Sequence, residues 1–184
     1  MARLGRRTTL PSLVRAELDL HRGERVLAAG RLLGGGWVVA TNRALHTTGP
    51  GDPLRRTWDE VAVAVWSDTA SMLQVTWVDG RRPLTVELVP GEGLLPEVVR
   101  ERVESSVVLA RRFTVQGRRG VRVAVRRAHH GAELSTQVIA DRGIDLEEPA
   151  VAARVRAELA DLREQAGMRP EELPRLDSNQ RPSD

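Results

Sequence analysis

Residues 72–107 read MLQVTWVDGRRPLTVELVPGEGLLPEVVRERVESSV, and the spacing of the apolar residues changes partway along this stretch. Two runs rich in β-branched residues, 72–78 and 84–89, flank Asp79-Gly80. The runs predict two strands, and Asp-Gly predicts a tight hairpin turn between them. Further on, apolar residues recur every three or four positions, which predicts an amphipathic helix near residues 95–110. A run of strands closed by one helix is therefore expected.

Further strands are predicted upstream of this stretch. Gly34-Gly35-Gly36 predicts a turn, because glycine adopts positive φ without penalty, and Gly49 to Pro53 has the composition of a loop. A short helix over Leu13 to Leu18, capped by Ser12, is expected before them. About six strands precede the long helix, the first four being Arg25–Arg31, Trp37–Thr41, Ala44–Thr48 and Val61–Trp66.

An arginine-rich segment follows the helix. Phe113 to Gln116 and Val121 to Val125 predict a β-hairpin around Gly117-Arg118-Arg119-Gly120, and Glu133 to Ala140 predicts a third strand. A final helix begins at Pro149, where a missing N–H is tolerated, and glycine 167 is expected to end it.

Four short strings resemble one family when they are taken in order. They are Gly23-Glu24-Arg25-Val26-Leu27, Val39-Ala40-Thr41-Asn42-Arg43-Ala44-Leu45, Thr57-Trp58-Asp59-Glu60-Val61 and Trp66-Ser67-Asp68. Together they resemble the bacterial pleckstrin-homology-like (PH-like) and GRAM-like domains over about residues 20–110. The resemblance implies a split antiparallel β-barrel capped by a C-terminal helix.

We therefore predict an α+β fold in four parts. These are a lead-in (1–20), a PH-like barrel with its capping helix (21–110), an arginine-rich β-hairpin with a final helix (111–170), and a disordered tail (171–184). The tail contains Asp177-Ser178-Asn179, which GAT-TCG-AAC can encode, the complement of a conserved tRNA-gene segment. We interpret the tail as translated read-through into an antisense tRNA gene, the alternative being an ordinary polar tail.

Composition limits the classes of function. The chain has 184 residues, is 41% hydrophobic and has no Cys, which excludes disulfides and thiolate chemistry. It has no Lys or Tyr and only two Ile, which indicates a high-GC bacterial genome. No apolar run is long enough to span a bilayer and no signal peptide is apparent, so we expect a cytoplasmic protein.

The sequence shows no motif for catalysis, a cofactor or a metal. His129-His130, with Glu133 nearby, lies in a predicted turn and is interpreted as exposed rather than metal-binding. The four Trp residues lie in or beside strands and are expected in the core or at its rim. Phosphoinositide binding, the best-known activity of the eukaryotic relatives, needs a basic first loop. Here that loop is Gly34-Gly35-Gly36 with only Arg31 near it, so we do not expect lipid binding.

One segment keeps a second function open. Residues 111–127 hold seven arginines and no acidic residue, and Arg122 and Arg126 alternate with valines on a predicted strand. We name five of them as candidate contacts with an anion or nucleic acid: Arg118, Arg119, Arg122, Arg126 and Arg127. The acid-rich final helix is expected to neutralise part of this charge. A protein or self interface and plain solvation are the other two interpretations of this segment.

The sequence thus favours a non-enzymatic interaction module that binds a protein partner. The alternative is a nucleic-acid-binding protein that acts through its arginines. An enzyme is the third hypothesis.

Overall fold

The computed structural model describes residues 10–91, 93–127 and 134–168. The predicted turn at His129-His130 and the predicted tail from residue 171 lie outside these residues. In chain order the elements are α1 (Ser12–Glu17), β1 (Val26–Arg31), β2 (Trp37–Thr41), β3 (Ala44–Thr48), β4 (Leu54–Thr57), a 3₁₀ turn (Trp58–Glu60), β5 (Val61–Ser67), β6 (Met72–Trp77), β7 (Leu84–Glu87), α2 (Leu95–Ser106), β8 (Val107–Gln116), β9 (Arg119–Arg127), β10 (Leu134–Ala140) and α3 (Pro149–Gln165).

The strands form three antiparallel sheets, which confirms the α+β class. The first sheet has the order β1-β2-β3-β4, the second β5-β6-β7 and the third β10-β9-β8. We call the first two sheets with α2 the N-terminal unit, and the third sheet with α3 the C-terminal unit. None of the described helices is long and apolar enough to cross a membrane.

The core of the N-terminal unit lies between its two sheets and α2. Leu95 and Val99 of the helix are fully buried against both sheets. Trp58 and Trp77 lie in the same core, which confirms the expected burial of these two aromatic residues. The other buried members of this core are Val38, Ala40, Leu45, Val61, Leu73, Val75 and Leu88.

The two sheets of this unit meet at one corner. The backbone N–H of Leu33 donates to the carbonyl of Glu87 at 2.9 Å, and that of Val89 donates to the carbonyl of Arg31 at 2.9 Å. At the opposite side the chain passes from β4 to β5 through the 3₁₀ turn. Among the described residues no continuous ladder closes the sheets into a barrel, so the arrangement is an open pair of sheets with one bridged corner.

Two of the strings noted in the sequence contact each other at the entry to β1. Asn42 Oδ1 accepts from the N–H of Arg25 at 2.6 Å, and Asn42 Nδ2 donates to the carbonyl of Gly23 at 3.2 Å. The third string joins them, because Trp58 Nε1 donates to the carbonyl of Thr41 at 3.0 Å. These residues therefore hold β1, the β2–β3 turn and the 3₁₀ turn in one place.

The glycine turn after β1 is built as predicted. Gly35 and Gly36 have φ of 93° and 89°. A Cβ at Gly36 would overlap the carbonyl of Thr48, because the β1–β2 and β3–β4 loops touch there.

Several predictions of secondary structure differ from the structure. The helix α1 begins at Ser12 with Pro11 at its N-cap position and no side-chain cap, so the predicted cap by Ser12 is wrong. The strand β4 was not predicted, since Leu54-Arg55-Arg56-Thr57 lacks apolar alternation, and it forms by pairing with β3. The helix α2 ends at Ser106 rather than near residue 110, because Val107 onward pairs with β9. The β6–β7 connection spans residues 78–83 instead of a tight turn, although Gly80 does take a positive φ of 70°.

The C-terminal unit packs α3 on one face of its sheet. Val121, Val123 and Val125 of β9 are fully buried and form one core with Val151 and Leu162 of this helix. The predicted internal neutralisation is also present. Arg111 donates to Glu158 at 2.7 Å and to Asp161 at 2.5 Å, both on α3.

One buried arginine makes hydrogen bonds within both units. Arg126 of β9 is 2% exposed. Its guanidinium donates to Gln137 on β10 and to Ser106 Oγ at the end of α2, the latter at 2.8 Å. It also donates to the carbonyls of Trp58 and Ala62, each at 3.3 Å. This buried cation thus contacts residues of both units.

Arg126 was expected on an exposed face with Arg122, and this expectation is corrected. The two side chains do alternate with the buried valines, but the N-terminal unit covers the sheet at Ala124 and Arg126 and leaves Arg122 exposed. Burial lowers the pKa of Arg126 to about 10, with a contribution from the like charge of Arg122. The guanidinium therefore remains protonated at neutral pH and does not form part of an outer basic surface.

We predict that Arg126→Met lowers the free energy of unfolding by roughly 2–4 kcal/mol. Four buried acceptors lose their donor, and this loss exceeds the stability gained by no longer burying a charge. Urea unfolding at pH 7 measures this change. The matched control is Arg122→Met, on the same strand and face but exposed, for which a change within about 0.5 kcal/mol is expected. Equal effects of the two substitutions would contradict the role of Arg126.

Candidate functional site

A groove lies between α2 and the β5–β6 hairpin. Two adjoining hollows of about 360 and 280 Å³ share the lining residues Trp66, Asp68, Pro96 and Glu97. The hairpin supplies the first two residues and the first turn of α2 supplies the other two. The groove exists because Leu95 and Val99 anchor the helix in the core while its preceding residues project beside the hairpin.

Trp66 gives the groove its apolar surface. Its ring is half-buried at the end of β5, and its Nε1 donates to Asp68 Oδ1 at 2.7 Å. This bond fixes the indole and leaves part of the ring open. Leu94, which is 38% exposed, lines the larger hollow. An apolar side chain of a ligand could therefore pack against Trp66 and Leu94.

The charged lining of the groove is mainly acidic. Asp68 and Glu97 are exposed carboxylates, and Arg100 stands at the smaller hollow. Two carboxylates and one guanidinium leave a formal charge of −1. The groove therefore complements a basic rather than an acidic ligand.

Strand β5 provides an open sheet edge next to this groove. It is the first strand in the order β5-β6-β7, and no other strand within the described ranges pairs with its far side. Its outward-facing Val63 and Val65 are 40% and 53% exposed. An edge strand with exposed apolar side chains can accept an additional strand from a partner.

A second polar cluster lies inside the N-terminal unit, on the face of the first sheet opposite the core. Glu24 Oε1 accepts from Thr41 Oγ1 at 2.6 Å and lies 3.0 Å from His46 Nε2. Glu24 Oε2 accepts from Arg55 at 3.3 Å and from the N–H of His21 at 3.2 Å. The sequence analysis did not single out these residues as a cluster, although Glu24 and Thr41 stand in two of the quoted strings.

Burial decides what this cluster can do. The side chain of Glu24 is 0% exposed and that of His46 is 4% exposed. Burial by itself raises the pKa of Glu24, but the hydrogen bonds from Thr41, His46, His21 and Arg55 outweigh it and hold the pKa at about 2. An enclosed, ionised carboxylate with all its donors in place is a structural anchor, since no substrate reaches it.

The structure separates the five predicted anion contacts. Arg118, Arg119 and Arg122 are exposed at the end of the third sheet that holds the β8–β9 turn. Arg127 is exposed at the other end of β9 and shares the face of the valines. Arg126 is interior, as described above. Three of the five therefore share one end of the sheet.

The first inter-strand loop is not basic. The hollow beside it is lined by Leu32, Leu33, Gly34, Gly35, Pro50, Thr85, Val86 and Glu87. Its one charged side chain is a carboxylate, which repels a phosphate. In the described part of the chain, no group of three or more His, Asp or Glu side chains is placed to hold a metal ion.

We predict that Glu24→Gln lowers the free energy of unfolding by roughly 3 kcal/mol at pH 7, since the pKa falls from 4.5 to about 2 on folding. A depressed carboxylate pKa contributes stability above pH 4.5 that is lost as the pH falls toward 2. The variant should therefore lose less stability than the natural chain between pH 5 and 2. Urea unfolding at several pH values tests this, with the exposed Glu87→Gln as control. Parallel pH profiles for the natural chain and Glu24→Gln would contradict it.

Comparison with known proteins adds no assignment: no family model, no curated protein and no solved structure matches this chain.

Proposed function

We propose that this chain is a non-enzymatic, PH-like interaction module of the cytoplasm that binds an extended segment of a protein partner in the groove between β5 and α2. The observation that carries the proposal is the coincidence of an open strand edge with a groove that holds a fixed, partly exposed tryptophan. The order of the seven strands and the helix agrees with the resemblance of residues 20–110 to PH-like domains.

The edge supplies affinity and the groove supplies selectivity. A segment that pairs with β5 gains main-chain hydrogen bonds regardless of its sequence. Its alternate side chains then face α2, where Trp66 and Leu94 favour an apolar residue. Asp68 and Glu97 favour Arg or Lys beside it. The partner segment is therefore expected to combine one apolar anchor with at least one basic residue.

The candidate for reactive chemistry is enclosed. The described groups that come nearest to a catalytic set of hydroxyl, carboxylate and imidazole are the side chains of Thr41, Glu24 and His46. The hydroxyl and the imidazole both contact the same oxygen of Glu24, Oε1, beneath the lead-in. Leu18 and Leu20 of the lead-in pack over the same sheet face. This arrangement supports a structural rather than a catalytic role for them.

We predict that peptides selected from a random displayed library against the full chain carry an apolar residue next to a basic one. Trp66→Ala should weaken binding of a selected, labelled peptide about tenfold or more, which fluorescence anisotropy measures. Glu97→Gln should weaken it less and should reduce its salt dependence, since one charge contact is lost.

Leu33→Ala is the matched control, because Leu33 is 63% exposed on the β1–β2 loop and does not line the groove. Its affinity should equal that of the natural chain. Circular dichroism of each variant confirms that the fold is kept. Peptides that bind Trp66→Ala and the natural chain equally would place the ligand elsewhere and end this proposal.

A further inference from the structure

Five exposed arginines and one carboxylate, Asp141, lie on the strands and turns at the end of the third sheet. Arg112 donates to Asp141 at 2.7 Å and also to the carbonyl of Arg118 at 3.1 Å. Arg119 donates to the carbonyl of Arg142 at 3.4 Å. Arg122 lies directly opposite Arg112 in the β8–β9 register. We call this set the arginine cluster: Arg112, Arg118, Arg119, Arg122 and Arg142, all exposed.

The cluster contains a cross-strand pair of like charges, Arg112 and Arg122, in which only Arg112 has a carboxylate partner. Residues directly opposite each other on antiparallel strands lie about 5 Å apart at their Cα atoms, and like charges there are destabilising. The other cross-strand neighbour of Arg122 is Ile139, which offers no charge. Arg122 therefore stands between a cation and an apolar residue, with no carboxylate opposite it.

The single carboxylate is already engaged. Asp141 accepts from the N–H of Gly120 at 2.8 Å as well as from Arg112. The Gly120 hydrogen bond and the charges of Arg112 and Arg119 lower the pKa of Asp141. Within the described ranges, Arg118, Arg119, Arg122 and Arg142 form no ion pair. An added anion would thus meet four guanidinium groups without a carboxylate partner.

The charge of the cluster exceeds that of the whole chain. Five guanidinium groups less one carboxylate give +4, whereas the full 184-residue chain has a formal charge of +3. The remainder of the chain therefore sums to −1. The positive charge is concentrated at one end of one sheet, which is the arrangement that attracts a polyanion.

The absence of an exposed aromatic ring beside the cluster, among the described residues, favours a duplex over a single-stranded nucleic acid. Phe113, the one aromatic residue of this sheet, is 5% exposed and lies beneath Arg154, whose guanidinium is 4.5 Å from the ring centroid. It packs toward α3 on the face opposite Arg122. No described aromatic side chain accompanies the cluster, so bases cannot stack there as they do on proteins that bind single strands.

We propose that the arginine cluster binds the phosphate backbone of a double-stranded nucleic acid without reading its sequence. Arg118 and Arg119 at the β8–β9 turn and Arg122 on the adjoining face contact phosphate oxygens. Arg112 and Arg142 strengthen the field, and Asp141 positions Arg112. The surface lies on the C-terminal unit and shares no residue with the groove between β5 and α2.

The test is titration of the full chain into a labelled random-sequence DNA duplex at several salt concentrations. With three to five phosphate contacts, the slope of log affinity against log salt should be about −2.7 to −4.5. The triple variant Arg118→Ala, Arg119→Ala, Arg122→Ala should bind at least about tenfold more weakly and flatten the slope by about 2–3. Replacing the same three residues by Lys should preserve most of the affinity.

A charge-matched control is available. Arg22→Ala, Arg25→Ala and Arg82→Ala together remove three exposed arginines of the N-terminal unit. This variant has the same net charge as the triple cluster variant and should keep the affinity and slope of the natural chain. An equal loss in both variants would show that net charge alone is responsible and would overturn the proposal.

Two further ligands test whether the surface prefers a duplex to a single strand or to an acidic polypeptide. The single-stranded form of the same sequence should bind more weakly than the duplex, since stacking is not offered. If poly-glutamate displaces the duplex at equal charge concentration, the surface binds an acidic protein partner and the proposal is wrong. Tighter binding of the single strand than of the duplex would also overturn it.

Discussion

A buried guanidinium holds the two halves of this molecule in a fixed relation. Arg126 lies on β9 of the C-terminal unit. Three of its four hydrogen-bond acceptors belong to the 3₁₀ turn, β5 and α2 of the N-terminal unit. These acceptors are neutral, so the charge is solvated by protein dipoles rather than by a carboxylate. Planar geometry with five donors suits arginine to this task, and no other side chain reaches so many acceptors. One of these acceptors, the carbonyl of Ala62, lies on β5, the strand that also carries Trp66 of the groove.

The N-terminal unit has its own polar anchor, and this anchor explains the strings that the sequence displays. Glu24, Thr41 and Asn42 form contacts across the β1–β2 entry that apolar residues could not make. Thr57 and Glu60 then form a reciprocal cap on the 3₁₀ turn, with Thr57 N–H donating to Glu60 at 2.8 Å. These strings are short because each lies at a turn. Turns need particular side chains, whereas strands need only apolar alternation.

The predictability of each element follows from whether its signal is local. The strands β6, β9 and β10 and the helices α2 and α3 were predicted because apolar period alone specifies them. Strand β4 was missed, since Leu54-Arg55-Arg56-Thr57 becomes a strand only through its partner β3. The groove residues were not identified from the sequence, because Trp66 and Glu97 come from separate elements. For Arg126 the face was predicted correctly, yet its burial depends on a second unit that no local pattern reveals.

The internal ion pairs determine where the remaining charge acts. Arg111 is neutralised by α3 and Arg126 is enclosed, so the seven arginines of residues 111–127 do not act as one basic ribbon. What remains is a positive end on the third sheet and a weakly acidic groove on the other unit. The two surfaces differ in sign, so a basic peptide and a polyphosphate are each drawn to one and repelled by the other. Since the two surfaces share no residue, a ligand on one does not occupy the other.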